Sequence, residues 1–174
     1  MKRVMVLFAM GACLTTGCVT GYTLVAAQPV RVAKKSMNVQ PSAAWNKAPR
    51  TAFDIAQEET WTGNGPLLDS MTFIGALPSG QAIARQRPKD DRKVPAFRPD
   101  MTPQDMVSMV ESYYRIKAGV TVFETTGVKP TTFLGKPGMQ LDYAYVGGDE
   151  VKRRGRTVLA VVDTQLYLMS LDGT

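Results

Sequence analysis

The strongest periodic signal in the chain lies at residues 102–118. Met106, Met109, Val110, Tyr113 and Tyr114 recur at three- and four-residue intervals, the spacing that aligns side chains along one face of an α-helix. Thr102-Pro103-Gln104-Asp105 opens this segment, with Thr102 as N-cap and Pro103 at the first helical position, where its missing N–H leaves no hydrogen bond unmade. Gly119 stands beyond the end. The stripe predicts a helix lying across a sheet and burying that face. After the helix the period shortens towards two, and residues 120–126, 139–146, 156–162 and 165–171 read as strands. Gly135-Lys136-Pro137-Gly138, Gly147-Gly148-Asp149 and Asp163-Thr164 are the turn signals between them, so an antiparallel meander is expected.

The pattern before the helix is weaker. Residues 30–33 and 35–39 read as one strand with faint alternation, ended by Pro41. Thr51-Ala52-Phe53-Asp54 has the form of a capping box, predicting a short helix to about Glu59. Glu59-Thr60-Trp61-Thr62 and residues 67–74 then form a hairpin around Asn64-Gly65-Pro66. Residues 84–103 hold Pro88, Pro95, Pro99 and Pro103 among many cations and predict a long exposed loop. The expected fold is α+β: an antiparallel sheet meander with one main helix packed on it, in a single domain over residues 29–174.

The placement of the last strand carries a functional expectation. Val158-Leu159-Ala160-Val161-Val162 is nearly continuously apolar, as a central strand would be, and residues 165–171 follow it after a tight turn. If those residues form the sheet edge, their unpaired backbone groups make a docking site for another strand. The alternative is insertion between two earlier strands.

The N-terminus holds the most specific motif. Met1-Lys2-Arg3 is followed by an apolar stretch, residues 4–12, which is too short to span a bilayer and of the length found in secretion signals. It runs into Leu14-Thr15-Thr16-Gly17-Cys18, with small residues before a cysteine. This resembles the lipobox of bacterial lipoproteins, although Thr15 occupies a position where that family prefers Leu. The resemblance implies cleavage between Gly17 and Cys18, a diacylglyceryl group on the Cys18 sulfur and a palmitate-type acyl chain on its amino group. Residues 1–17 would then be the signal peptide and residues 18–28 a lipidated tether, and Cys13 would leave with the signal. Val19 in place of Asp after Cys18 implies, by the same resemblance, an outer-membrane anchor facing the periplasm, with the inner membrane as the alternative. Trp45-Asn46, Glu59-Thr60-Trp61-Thr62, Gly65-Pro66-Leu67-Leu68-Asp69 and the late meander resemble envelope lipoproteins of proteobacteria, a likeness that brings no activity with it.

Composition narrows the chemistry. The 174 residues suffice for one domain with a hydrophobic core, and the formal charge of +6 falls to about +4 once Lys2 and Arg3 leave. Both cysteines lie within the first eighteen residues, so no disulfide staples the domain, and histidine is absent. Ser/His/Asp and Cys/His sites are therefore excluded, as are imidazole metal ligands. The chain reads as non-enzymatic, with neither cofactor nor metal. Ten methionines raise the question of copper, but Met106 and Met109 lie on the helix stripe, where packing explains them.

Two basic groups remain as contact candidates: Arg85, Arg87, Arg92 and Lys93 in the proline-rich segment, and Lys152, Arg153, Arg154 and Arg156 at a strand start. Forked guanidinium donors suit phosphate, so an anionic glycolipid or an acidic envelope protein is the expected partner, against the plainer reading of solvated charge. Secretion argues against nucleic acid. The leading expectation is thus a lipid-anchored structural or interaction domain. A second is a module binding a sugar or peptide on the sheet face of Trp61, with Trp45 beside it, although core burial is the simpler role for both rings. The third is a carboxylate-dependent hydrolase built on Asp54, Glu58 and Glu59.

Overall fold

The computed structural model describes residues 21–86 and 93–174. The leader, Gly17, Cys18, Arg87 and Arg92 lie outside the described residues. In chain order the elements are β1 (Thr23–Val25), β2 (Val30–Val32), β3 (Met37–Val39), β4 (Trp45–Lys47), β5 (Glu58–Thr62), β6 (Asp69–Leu77), α1 (Pro103–Lys117), β7 (Val122–Phe133), β8 (Lys136–Val146), β9 (Lys152–Val162) and β10 (Gln165–Gly173). Eight strands make one antiparallel sheet in the order β1-β4-β5-β6-β10-β9-β8-β7, and β2 pairs only with β3. The class is α+β in outline, with strand predominating.

The helix and the meander form where the pattern places them. Thr102 caps α1 through a reciprocal pair of hydrogen bonds with Asp105, and Met106, Met109, Val110, Tyr113 and Tyr114 are buried together with Val107. That face meets Ile74, Leu77, Leu141, Leu159, Leu166 and Leu168 in the larger core. The turns between β7 and β8 and between β9 and β10 are two residues long, with left-handed φ at Leu134 and Gly135 and at Asp163 and Thr164. β7 continues to Phe133, past the expected Thr126, and tolerates Pro130 because it lies at the sheet edge.

Five expectations are corrected. β10 is not an edge strand: it pairs with β9 on one side and β6 on the other, so it offers no docking edge. The alternating burial of Leu166, Leu168, Ser170 and Asp172 on one face suits this central position. Residues 30–39 are not one strand but the hairpin β2–β3, because Ala33, Lys34 and Lys35 all take left-handed φ and reverse the chain. This hairpin covers the second face of the sheet, packing Val32, Ala33 and Met37 on Trp61 and Phe73. It approaches so closely that a Cβ on Gly75 would stand 2.0 Å from the Ser36 hydroxyl oxygen.

Residues 51–59 form no helix. Asp54 accepts from the Thr51 amide at 2.6 Å and its hydroxyl at 2.7 Å, but these bonds close an isolated turn, and Glu58 already pairs in β5. A two-turn segment without a sustained apolar stripe is too short to hold as a helix. The segment over residues 84–103 is not simply an exposed loop: Ala84, Val94, Phe97 and Met101 are buried in the core shared with α1, while Arg85, Lys93 and Arg98 face solvent. Its apolar residues fill space beneath the helix that the sheet leaves open. Finally, the expected tether already contains β1, which joins the sheet through β4.

Candidate functional site

Strand alternation sorts the polar residues between the two faces. In β5, Glu58, Thr60 and Thr62 fall on the side of α1, whereas Glu59 and Trp61 face the hairpin β2–β3. Ser70 and Thr72 of β6 stand opposite Asp172 and Ser170 of β10. Tyr143 and Tyr145 of β8 and Arg153 of β9 come up on the same side, and the last turns of α1 hang Tyr113, Tyr114 and Lys117 over them. Thr60, Ser70, Thr72, Tyr113, Tyr114, Lys117, Tyr145, Arg153 and Asp172 line a cleft of about 610 Å³, walled further by Tyr22, Pro49, Pro66 and Leu67.

Asp172 forms part of its wall and is only 5% exposed. Its Oδ1 accepts hydrogen bonds from the Tyr114 and Tyr143 hydroxyls, both at 2.8 Å, and its Oδ2 from Ser70 at 3.1 Å. Burial nevertheless outweighs these donors and pushes the carboxyl up to about 6. The tyrosines are held neutral by the same burial, which raises both hydroxyls above their ordinary value. The Tyr114, Tyr143, Tyr145 and Phe123 rings pack against one another with centroids 5.0–6.2 Å apart, which fixes the network in place.

At the other end of the cleft Lys117 reaches both Asp54 and, at 2.8 Å, Glu58. Glu58 also accepts from the Tyr113 hydroxyl at 2.7 Å and from the Ile55 amide at 3.3 Å. Burial raises the Glu58 carboxyl against the pull of Lys117; Asp54 is also desolvated, but its bonds to Lys117 and Thr51 hold it below its ordinary value. Arg153 is clamped by Asp149 at 2.7 and 2.9 Å and by the Leu67 carbonyl at 2.8 Å. The hydrogen bond from Arg153 in turn draws Asp149 down to about 2.

The residues singled out from sequence land in separate places. Asp54 and Glu58 come together around Lys117, but Glu59 lies on the opposite face, bound to Lys47 and the Trp61 indole N–H. Trp61 is fully buried and Trp45 half-buried in the hairpin cluster, so that sheet face is filled rather than open. Met106 and Met109 are core residues. Of the second basic group, Lys152, Arg154 and Arg156 share the exposed face away from α1, with Arg156 paired to Asp142 at 2.6 Å, whereas Arg153 points to the cleft. Arg85 and Lys93 are exposed in the proline-rich segment.

Asp172, Tyr145 and Lys117 were not among the sequence candidates. The period-two count along β10 carried a signal for the first: Leu166, Leu168, Ser170 and Asp172 share a face, which puts two polar residues at the inner end of a core strand. No three metal-ligating carboxylate or thiol side chains gather among the described residues, and no described helix is long and apolar enough to cross a membrane. No protein-family model matches the chain and no curated protein matches it, so what the cleft does is argued from its own geometry.

Proposed function

We propose that the chain is a lipid-anchored envelope protein whose domain binds a small ligand in the cleft beneath the end of α1. The cleft carries this reading. Its volume of about 610 Å³ lies within the range of small-molecule sites, and it has the usual composition of aromatic and aliphatic walls with a few convergent polar groups. The polar groups are held in place by one another, so the site is formed in advance and little ordering opposes binding. In this reading the ligand lies on the α1 face and not on the Trp61 face named as the alternative from the sequence, where core burial was the simpler role.

The anchor belongs to the same proposal: Cys18 carries the lipid, Gly17-Cys18 is the cleavage site, and the outer membrane is the destination. Labelled palmitate should enter the wild type and Cys13→Ala but not Cys18→Ala, and membrane fractionation should recover the protein with the outer membrane. For the cleft, a thermal-shift screen of the mature chain against sugars, amino acids and short peptides should raise the melting temperature for one ligand class. Loss of that shift in Tyr145→Trp, which fills the cleft, ties it to this site. A screen with no stabilising class rejects the binding role.

A second reading rests on Lys152 and Arg154, exposed side by side on the sheet face away from α1 near exposed Leu171. This patch suits an anionic glycolipid or an acidic envelope protein. Binding to lipopolysaccharide-containing vesicles that survives Lys152→Glu/Arg154→Glu would remove it.

A further inference from the structure

Charge in the cleft is unevenly balanced. Asp54, Asp149 and Asp172 line it and Glu58 stands behind Lys117, against two cations, Lys117 and Arg153. Both cations are already committed: Lys117 to Asp54 and Glu58, Arg153 to Asp149 and the Leu67 carbonyl. Asp172 has no salt-bridge partner among the described residues; hydroxyls alone contact it. These neutral donors reach both carboxylate oxygens but bring no positive charge to them. An anionic ligand entering here meets excess negative charge, and a cationic one meets its complement, in a protein whose overall charge is +6.

Tyr145 supplies an independent observation. The residue is only 6% exposed, yet its hydroxyl has no hydrogen-bond partner among the described residues. No described buried side-chain polar atom is sealed away without a partner, so this hydroxyl opens into the cleft that Tyr145 lines. An unused donor and acceptor is thus aimed at the space beside Asp172. Tyr113, Tyr114 and Tyr145 add aromatic wall, and Thr60, Ser70 and Thr72 add hydroxyls.

Resting on the reading of the cleft as a binding site, we propose that its ligand carries an ammonium group on a hydroxylated ring frame, an amino sugar by chemical class. Asp172 is the counter-ion of the ammonium, and the Tyr145 hydroxyl bonds the frame.

The test compares three probes of one ring shape: glucosamine, glucose and glucuronate, titrated into the mature protein near neutral pH with ligand-observed NMR. Glucosamine should bind at least about tenfold more tightly than glucose, and glucuronate most weakly. Asp172→Asn should erase the preference for glucosamine over glucose, while Tyr145→Phe should weaken both and keep the preference. A folded state in each variant is checked by its melting curve. Glucose or glucuronate binding as tightly as glucosamine overturns the ammonium assignment and leaves the small-ligand reading standing. Failure of all three probes, in a protein that other ligands stabilise, also overturns it; failure of every ligand overturns both.

Discussion

Replacing Asp172 with Asn tests whether burial or hydrogen bonding governs the charge in the cleft. The carboxyl is raised from an ordinary 3.8 to about 6, chiefly by burial, against the donors Tyr143, Tyr114 and Ser70 and the more distant Arg153. At about 1.4 kcal/mol per pH unit, a rise of about two units corresponds to roughly 3 kcal/mol. The sign follows from proton counting. Between the two values the folded chain holds a proton that the unfolded chain has released, so raising the pH favours unfolding. This contribution is fully present below about pH 4 and is lost as the pH rises through about 6. Asn removes it while keeping an acceptor for the hydroxyls. Urea unfolding of both proteins from pH 3 to pH 8 gives the stability of wild type minus variant, in which the titrations of the other carboxyls largely cancel. That difference should fall by roughly 3 kcal/mol between pH 3 and pH 7. A flat difference would show that Asp172 is not perturbed, and a rising one that the three hydroxyl donors overcome burial.

Gly155→Ala should destabilise by about 1–3 kcal/mol in the same assay, since its Cβ would stand 2.3 Å from Asp172 Oδ1 and 2.4 Å from the Tyr143 ring; unchanged stability would contradict this packing. Thr102→Ala removes the hydroxyl that accepts from the Asp105 amide while keeping the backbone N–H that donates to the Asp105 carboxylate, and should cost about 1 kcal/mol, which equilibrium unfolding resolves; no loss would show the hydroxyl half of the cap to be idle. Lys117→Met leaves Glu58 buried without its cation and should cost about 3–5 kcal/mol at neutral pH. Because Glu58 can then take up a proton, the loss should shrink on acidification, and a loss independent of pH would point to packing instead.

What was legible in sequence was local. The α1 stripe and its Thr102-Pro103 start need only neighbouring residues to be read, and the same holds for the tight turn at Asp163-Thr164. The β2–β3 reversal was missed because Ala33-Lys34-Lys35 contains none of Gly, Asn or Asp, the residues that make left-handed backbone easy. Its conformation is held by packing on Gly75 and Trp61, far along the chain. The Thr51-Asp54 pair was read correctly as hydrogen-bonded and wrongly as helical, since the same bonds close a lone turn. The position of β10 depends on which strands prefer which neighbours, a property of the whole sheet. The cleft was invisible for the same reason: Asp54, Tyr114, Tyr145 and Asp172 converge from four distant segments, and the local patterns that hold Asp54 and Tyr114 say nothing of that meeting.

The central place of β10 also governs when the domain can form. Among the described strands β10 alone joins the β4–β6 half of the sheet to the β7–β9 half, and the Ser70–Asp172 hydrogen bond spans 102 residues of chain. During synthesis β6 therefore waits, with one row of backbone groups unpaired, until residues 165–173 appear. Such long-range closure is slow. The eight-stranded sheet is therefore completed only when residues 165–173 pair with both β6 and β9. The same arrangement makes loss of the final strand severe, because it would expose the facing edges of β6 and β9 together and leave two half-sheets open to aggregation.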